Sequence, residues 1–178
     1  EDRYGKTVLT EAIDKEDGMM IRFLLDIGAS VNYVNESGRT VLQDVALEGN
    51  ARVFRILLAH NPDLNIKDSY GKTVIFDAVE GENLDIIRDV INQVDDPNIV
   101  DEDGQTVLYA SALKEEPEIA KFLITNGINV NHLDNNKPQL QKYNFEKLFM
   151  EDRLFTNLPN IDSWLNQHFL RLDGYMKK

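Results

Sequence analysis

The sequence contains no cysteine, which excludes a disulfide framework and any thiolate metal site. It is poor in positive charge: 19 Lys and Arg stand against 31 Asp and Glu, for a net charge of −12. Nucleic-acid binding needs cations to neutralise phosphates, so this balance excludes that class and leaves solubility, or attraction to a basic partner. No apolar run reaches the roughly eighteen residues that a membrane-spanning helix requires. Histidine is scarce, and His60, His132 and His168 have no second His or Cys at ligand spacing, so no metal site is expected. There is no G-x-S-x-G, no Gly-rich phosphate loop and no H-E-x-x-H. Gly5-Lys6-Thr7 and Gly71-Lys72-Thr73 lack the upstream glycine that a phosphate loop uses. Neither catalytic residues nor a cofactor are expected. No signal peptide is visible, and the first residues are Glu1-Asp2 rather than methionine. A segment trimmed from a longer protein is the first expectation, with a mature chain cut from a precursor as the alternative. A cytoplasmic location is favoured over a secreted or periplasmic one.

What is present is a period. Gly5, Gly38, Gly71 and Gly104 follow one another in steps of 33 residues with no insertion. Constant spacing of this size means one small unit built four times and stacked, so function belongs to a surface made of repeats. The 178 residues, 42% of them apolar, suffice for a short array plus an end piece.

Each unit opens with Asp2, Asn35, Asp68 or Asp101 and carries a threonine two residues after its glycine: Thr7, Thr40, Thr73, Thr106. A threonine before an apolar run reads as a helix N-cap. Small residues follow (Ala12, Ala46, Ala78, Ala110, Ala112), which let neighbouring helices approach closely. A second helix starts at Asp17, Asn50, Asn83 and Glu116, the last backed by Pro117. Behind these caps apolar residues fall at helical spacing: Met20, Phe23, Leu24; Val53, Ile56, Leu57; Ile86, Ile87, Val90; Ile119, Phe122, Leu123. Gly28, Asn61 and Gly127 suit a left-handed helix stop, whereas Val94 predicts an altered turn through Val94-Asp95-Asp96-Pro97. Asn32, Asn65, Asn98 and Asn131 close the units, each with a side chain able to bond its own backbone in a tight turn.

This pattern resembles the ankyrin repeat, in Asp2-Arg3-Tyr4-Gly5-Lys6-Thr7-Val8-Leu9, Leu24-Leu25 and Gly28-Ala29-Ser30-Val31-Asn32 and in their copies. The resemblance implies an all-α ankyrin-repeat solenoid of helix-turn-helix-loop units at 2–34, 35–67, 68–100 and 101–133. Two departures recur: valine (Val8, Val41, Val74, Val107) replaces the family proline, and Thr10, Gln43, Phe76 and Tyr109 replace the family histidine. The second loss removes a hydrogen-bond ladder that braces neighbouring units in the family.

From Asp134 to Lys178 the pattern degrades, and seven of the fifteen aromatics gather there, Trp164 among them. Two helices are predicted, near 139–149 and 162–172. They form a degenerate fifth repeat capping the stack, because an open solenoid end exposes an apolar face. A docking surface or dimer contact is the alternative.

The resemblance also implies a concave surface of loop tips and first-helix faces that reads a partner protein. Carried onto this chain, the candidates are Arg3, Tyr4, Lys6, Arg39, Tyr70, Lys72, Asp103 and Gln105 at the tips. Glu11, Asp44 and Asp77 share one position in successive first helices and form an acidic row. Tyr4 and Tyr70 are the expected anchors, since tyrosine is enriched at hot spots. The basic row Lys6, Arg39 and Lys72 either serves the partner or only neutralises the acidic row. A hydrolytic carboxylate pair in the acidic row is the weakest reading, because carboxylates on an open face stay solvated and untuned. Arg22, Arg55, Arg88 and Lys121 repeat on the second helices, with Asp26, Asp85 and Glu118 placed for intrahelical pairing. The leading function is a monomeric, non-enzymatic protein-binding module: a scaffold, an adaptor or an immunity-type inhibitor. The alternative is a targeting or regulatory segment of a larger enzyme, effector or channel.

Overall fold

A computed structural model describes residues 6–114, 117–129 and 132. Eight α-helices are present among them, paired in four units. The first helices are α1 (Val8–Asp14), α3 (Val41–Leu47), α5 (Val74–Glu80) and α7 (Val107–Leu113). The second helices are α2 (Gly18–Asp26), α4 (Ala51–Leu58), α6 (Leu84–Ile91) and α8 (Pro117–Thr125). Helices of this length are marginal alone, so stacking must supply their stability. One continuous apolar core runs along the row, through Leu9, Ile21, Leu42, Phe54, Leu57, Ile75, Ile86, Leu108 and Leu123.

The local signals act as caps. Asp17, Asn50 and Asn83 accept backbone N–H groups at the starts of α2, α4 and α6. Gly28 and Gly127 stop α2 and α8 in the left-handed region, at φ 99° and 86°, and Asn61 does so after α4 at 51°. Val94 does not enter that region: its N–H bonds Val90 O at 3.2 Å, so the third unit turns differently, as a β-branched residue requires.

The threonine caps divide. Thr7 and Thr40 accept the N–H of Thr10 and Gln43, whose own side chains return a bond to the cap backbone. Thr73 and Thr106 make no such bond, which corrects the expectation of four equal caps. Their partners three residues on are Phe76 and Tyr109, whose N–H groups bond the Thr73 and Thr106 carbonyls at 2.9 and 3.0 Å instead. The Thr73 and Thr106 hydroxyls are left buried without a hydrogen bond.

Several bonds reach across units where the sequence suggested local ones. Gln43 Nε2 donates to Lys72 O at 3.0 Å, so bracing between the second and third units is kept by a different side chain. Asn32 and Asn98 accept the N–H of Asp63 and Asn129 in the following unit, at 2.9 and 2.6 Å, rather than bonding their own turns. On the second helices Arg55 pairs with Asp89 of the next unit at 2.7 Å, and among the described residues only Arg88 has the expected intrahelical partner, Asp85 at 3.6 Å.

The assignment of Glu116 and Asn131, and the predicted helices near 139–149 and 162–172 with their aromatics, lie outside the described residues.

Candidate functional site

In the second, third and fourth units the loop tips are organised by the first residue of the unit. Asn35 Oδ1 accepts the N–H groups of Ser37 and Arg39, at 2.9 and 3.1 Å. Asp68 Oδ1 does the same for Tyr70 and Lys72, both at 2.9 Å, and Asp101 Oδ1 for Asp103 and Gln105, at 3.0 and 2.9 Å. Adjacent tips are then tied backbone to backbone, Ser69 N–H to Ser37 O and Glu102 N–H to Tyr70 O, each at 3.0 Å. The result is a rigid ledge from which side chains project. Tyr70 stands on it exposed to solvent, at 66%. Asp103 is exposed on the next tip and Gln105 is half-buried behind it.

Below the ledge the basic and acidic rows meet the first helices, but not as simple neighbours. Lys6 reaches Asp14 at 2.6 Å, and Lys72 reaches Glu80 at the equivalent place two units on. The intervening unit holds Leu47 there, so Arg39 has no such acid. Its guanidinium turns along the stack instead. Nε donates to Asp44 at 2.8 Å, Nη1 to Asp68 at 3.2 Å, and Nη2 lies 2.9 Å from Asp77 Oδ1 without hydrogen-bond alignment. One cation thus serves three carboxylates from two units. Burial opposes the Arg39 charge, but the Asp44 hydrogen bond and the Asp77 charge outweigh it, and its pKa is raised.

Asp77 corrects the expectation of a solvated acidic row. Its side chain is wholly buried, with both oxygens lacking an aligned donor among the described residues. Burial pushes its carboxyl up to about 7, against the pull of Arg39 and with help from Glu80 and Asp68. The three equivalent acids differ because their neighbours differ. Helix α5 is packed between α3 and α7, whereas α1 stands off from α3. Asp44 therefore faces a gap and is half-exposed, and Glu11 lies in solvent beside Lys15, at 2.8 Å. Buried this deeply, Asp77 is removed from any substrate.

The gap between α1 and α3 is a cleft of about 330 Å³. Ile13, Val41, Val45 and Leu47 give it an apolar floor, with Tyr33, Asp14, Asp44 and Glu48 around it. Leu47, the last residue of α3, is the apolar member of a position that is acidic in the first and third units. Arg3 and Tyr4 lie outside the described residues.

Helix pairs repeating every 33 residues, with loop tips tied to one another backbone to backbone, are the geometry of a known repeat. A model of ankyrin repeats in many copies matches residues 24–75, and one of ankyrin repeats in three copies matches residues 75–140. The chain belongs to the ankyrin repeat family. Among curated proteins, none matches the chain. Ankyrin repeats are generally protein–protein interaction modules and are typically non-enzymatic. Among the described residues of this ankyrin array, no helix is long and apolar enough to cross a membrane, and no group of three or more His, Cys, Asp or Glu is placed to hold a metal ion.

Proposed function

We propose that this ankyrin array binds a partner protein along its concave side, with Tyr70 as an anchor and the cleft between α1 and α3 as the main recess. The observation that carries this reading is the combination of a hydrogen-bonded ledge bearing an exposed tyrosine with an exposed Leu47 lining the cleft. Preorganised backbone lowers the ordering cost of association, and exposed aromatic and aliphatic side chains supply the contact energy. Lys6, Lys72 and Asp44 frame the contact and give it charge, with Glu11, Asp103, Gln105, Arg3 and Tyr4 extending it along the row. Arg39 ties the second unit to the third through Asp68 behind that surface, with Asp77 buried beside it. The acidic net charge of −12 favours a basic partner. Scaffold, adaptor and stoichiometric inhibitor are all compatible with such a surface.

Site-specific photo-crosslinking tests the assignment. A photoreactive phenylalanine at position 70 or 47 should capture a partner from the native cell, and the same group at Arg55, on the second-helix side, should not. Capture from position 55 with none from 70 or 47 overturns the concave reading.

A further inference from the structure

Among the described residues, the outer side of the first unit is apolar and uncovered. Val8 is 69% exposed, while Val41, Val74 and Val107 at the same position are 6%, 2% and 0% exposed. Met20 is 43% exposed against 1%, 0% and 3% for Val53, Ile86 and Ile119. Phe23 is 56% exposed against 4% for Ile56. Met20 and Phe23, which fall at helical spacing in the sequence, are thus not the buried face of α2; its buried side chains are Ile21 and Leu25. In the later units such residues are covered by the helix pair in front of them.

The cross-unit contacts on the second helices say what that cover is made of. Each joins a residue to one 34 positions on. Arg55 pairs with Asp89, Arg88 lies over the Phe122 ring at 5.5 Å from its centroid, and Asp26 lies 3.3 Å from His60. The receiving positions Asp89 and Phe122 correspond to Phe23, and His60 corresponds to Ile27. On α2 and its C-cap the two receiving positions, Phe23 and Ile27, are apolar and exposed, with nothing in front to meet them among the described residues.

We propose that the exposed side of α1 and α2 is the seat of one further helix pair of the same 33-residue kind, stacked in front of the first unit. That unit carries a cation over Phe23, as Arg88 lies over Phe122, and an apolar side chain against Ile27. The first unit is then an interior member of a longer array rather than its end. This rests on packing register and is independent of the concave-face reading.

A copy of residues 35–67 fused ahead of Asp2 reproduces the native junction between Lys67 and Asp68 and presents Arg55 to Phe23 and Ala59 to Ile27. The fusion should unfold at higher urea than the parent chain, and hydrogen exchange along 20–27 should slow. Phe23→Glu should change the unfolding constant less than about 5-fold in the parent and more than about 30-fold in the fusion, as burial makes a charge costly. A second fusion, with residues 68–100, presents Arg88 and Asn92 and should gain less. The proposal is overturned if neither fusion exceeds the parent, or if Phe23→Glu weighs equally in parent and fusion. It is also overturned if the parent sediments as a dimer that Phe23→Glu splits, since the seat then belongs to a second copy.

Discussion

Arg39 Nη2 and Asp77 Oδ1 lie 2.9 Å apart across the second and third units, and Arg39 also holds Asp44 and Asp68. A single guanidinium cannot offset three carboxylates, two of which have buried side chains. The burden falls on the deepest of them. Asp77 therefore favours its neutral form well above the usual carboxylate range, at about 7.

This fixes the sign of a pH dependence. The folded chain keeps the Asp77 proton up to about pH 7, while the unfolded chain releases it near 3.8. Between those values folding takes up a proton, so stability contributed by this group is full below the window and lost as pH rises through it. The span corresponds to something on the order of 4 kcal/mol. Urea midpoints measured from pH 4 to 8 should fall along this window in the parent. Asp77→Asn should remove that slope, leaving the variant at least as stable as the parent at pH 8. A parent and variant with parallel curves would mean that Asp77 is ionised throughout.

The caps give a paired prediction. Thr40 exchanges two bonds with Gln43, and Gln43 also reaches Lys72 O, so Thr40→Val should cost about 1–2 kcal/mol. Thr73 occupies the same position in the next unit but its hydroxyl bonds nothing. Thr73→Val should therefore be neutral or slightly stabilising, because a buried hydroxyl without a partner is a penalty that valine removes. Chemical denaturation of the two variants separates the cases; equal losses would show that the Thr73 hydroxyl is bonded in solution.

Helix starts, helix stops and the four-unit register were legible because they depend on residues a few positions apart. Asp17, Asn50 and Asn83 cap their helices, and Val94 breaks the pattern, as their chemistry dictates. What escaped lies between units. Asn32 and Asn98 bond backbone 31 residues away, and Arg55 finds Asp89 34 residues away. Those partners are set by stacking geometry, which a repeated position does not encode. Glu11, Asp44 and Asp77 make the same point, since one position is solvated, half-buried or buried according to how closely the neighbouring first helices pack. Leu57 was legible as core from its spacing, and it is fully buried.

Leu57→Ala should accordingly cost about 2–5 kcal/mol, through lost transfer energy and a cavity that the flanking units cannot close. Its effect should appear as a lowered urea midpoint. A loss under about 1 kcal/mol would mean that the second helices are loosely packed in solution.

Gly81 and Gly28 separate two reasons for glycine. Gly28 has φ 99° and open space where a Cβ would stand, so Gly28→Ala meets only backbone strain, about 1 kcal/mol. Gly81 has an ordinary φ of −78°, but a Cβ there would be driven into the Ala46 carbonyl oxygen and stand 2.7 Å from that of Leu47. Those atoms belong to the C-terminal end of α3, whose axis cannot retreat without opening the Arg39 cluster and breaking the bond from Gln43 to Lys72. Gly81→Ala should therefore cost more than about 2 kcal/mol and exceed Gly28→Ala, despite the better backbone angle. Because the strain is relieved by separating the second and third units, hydrogen exchange should quicken at Phe76–Val79 more than at Ile21–Leu25. Equal costs for the two substitutions would show that α3 and α5 are not in such close contact in solution.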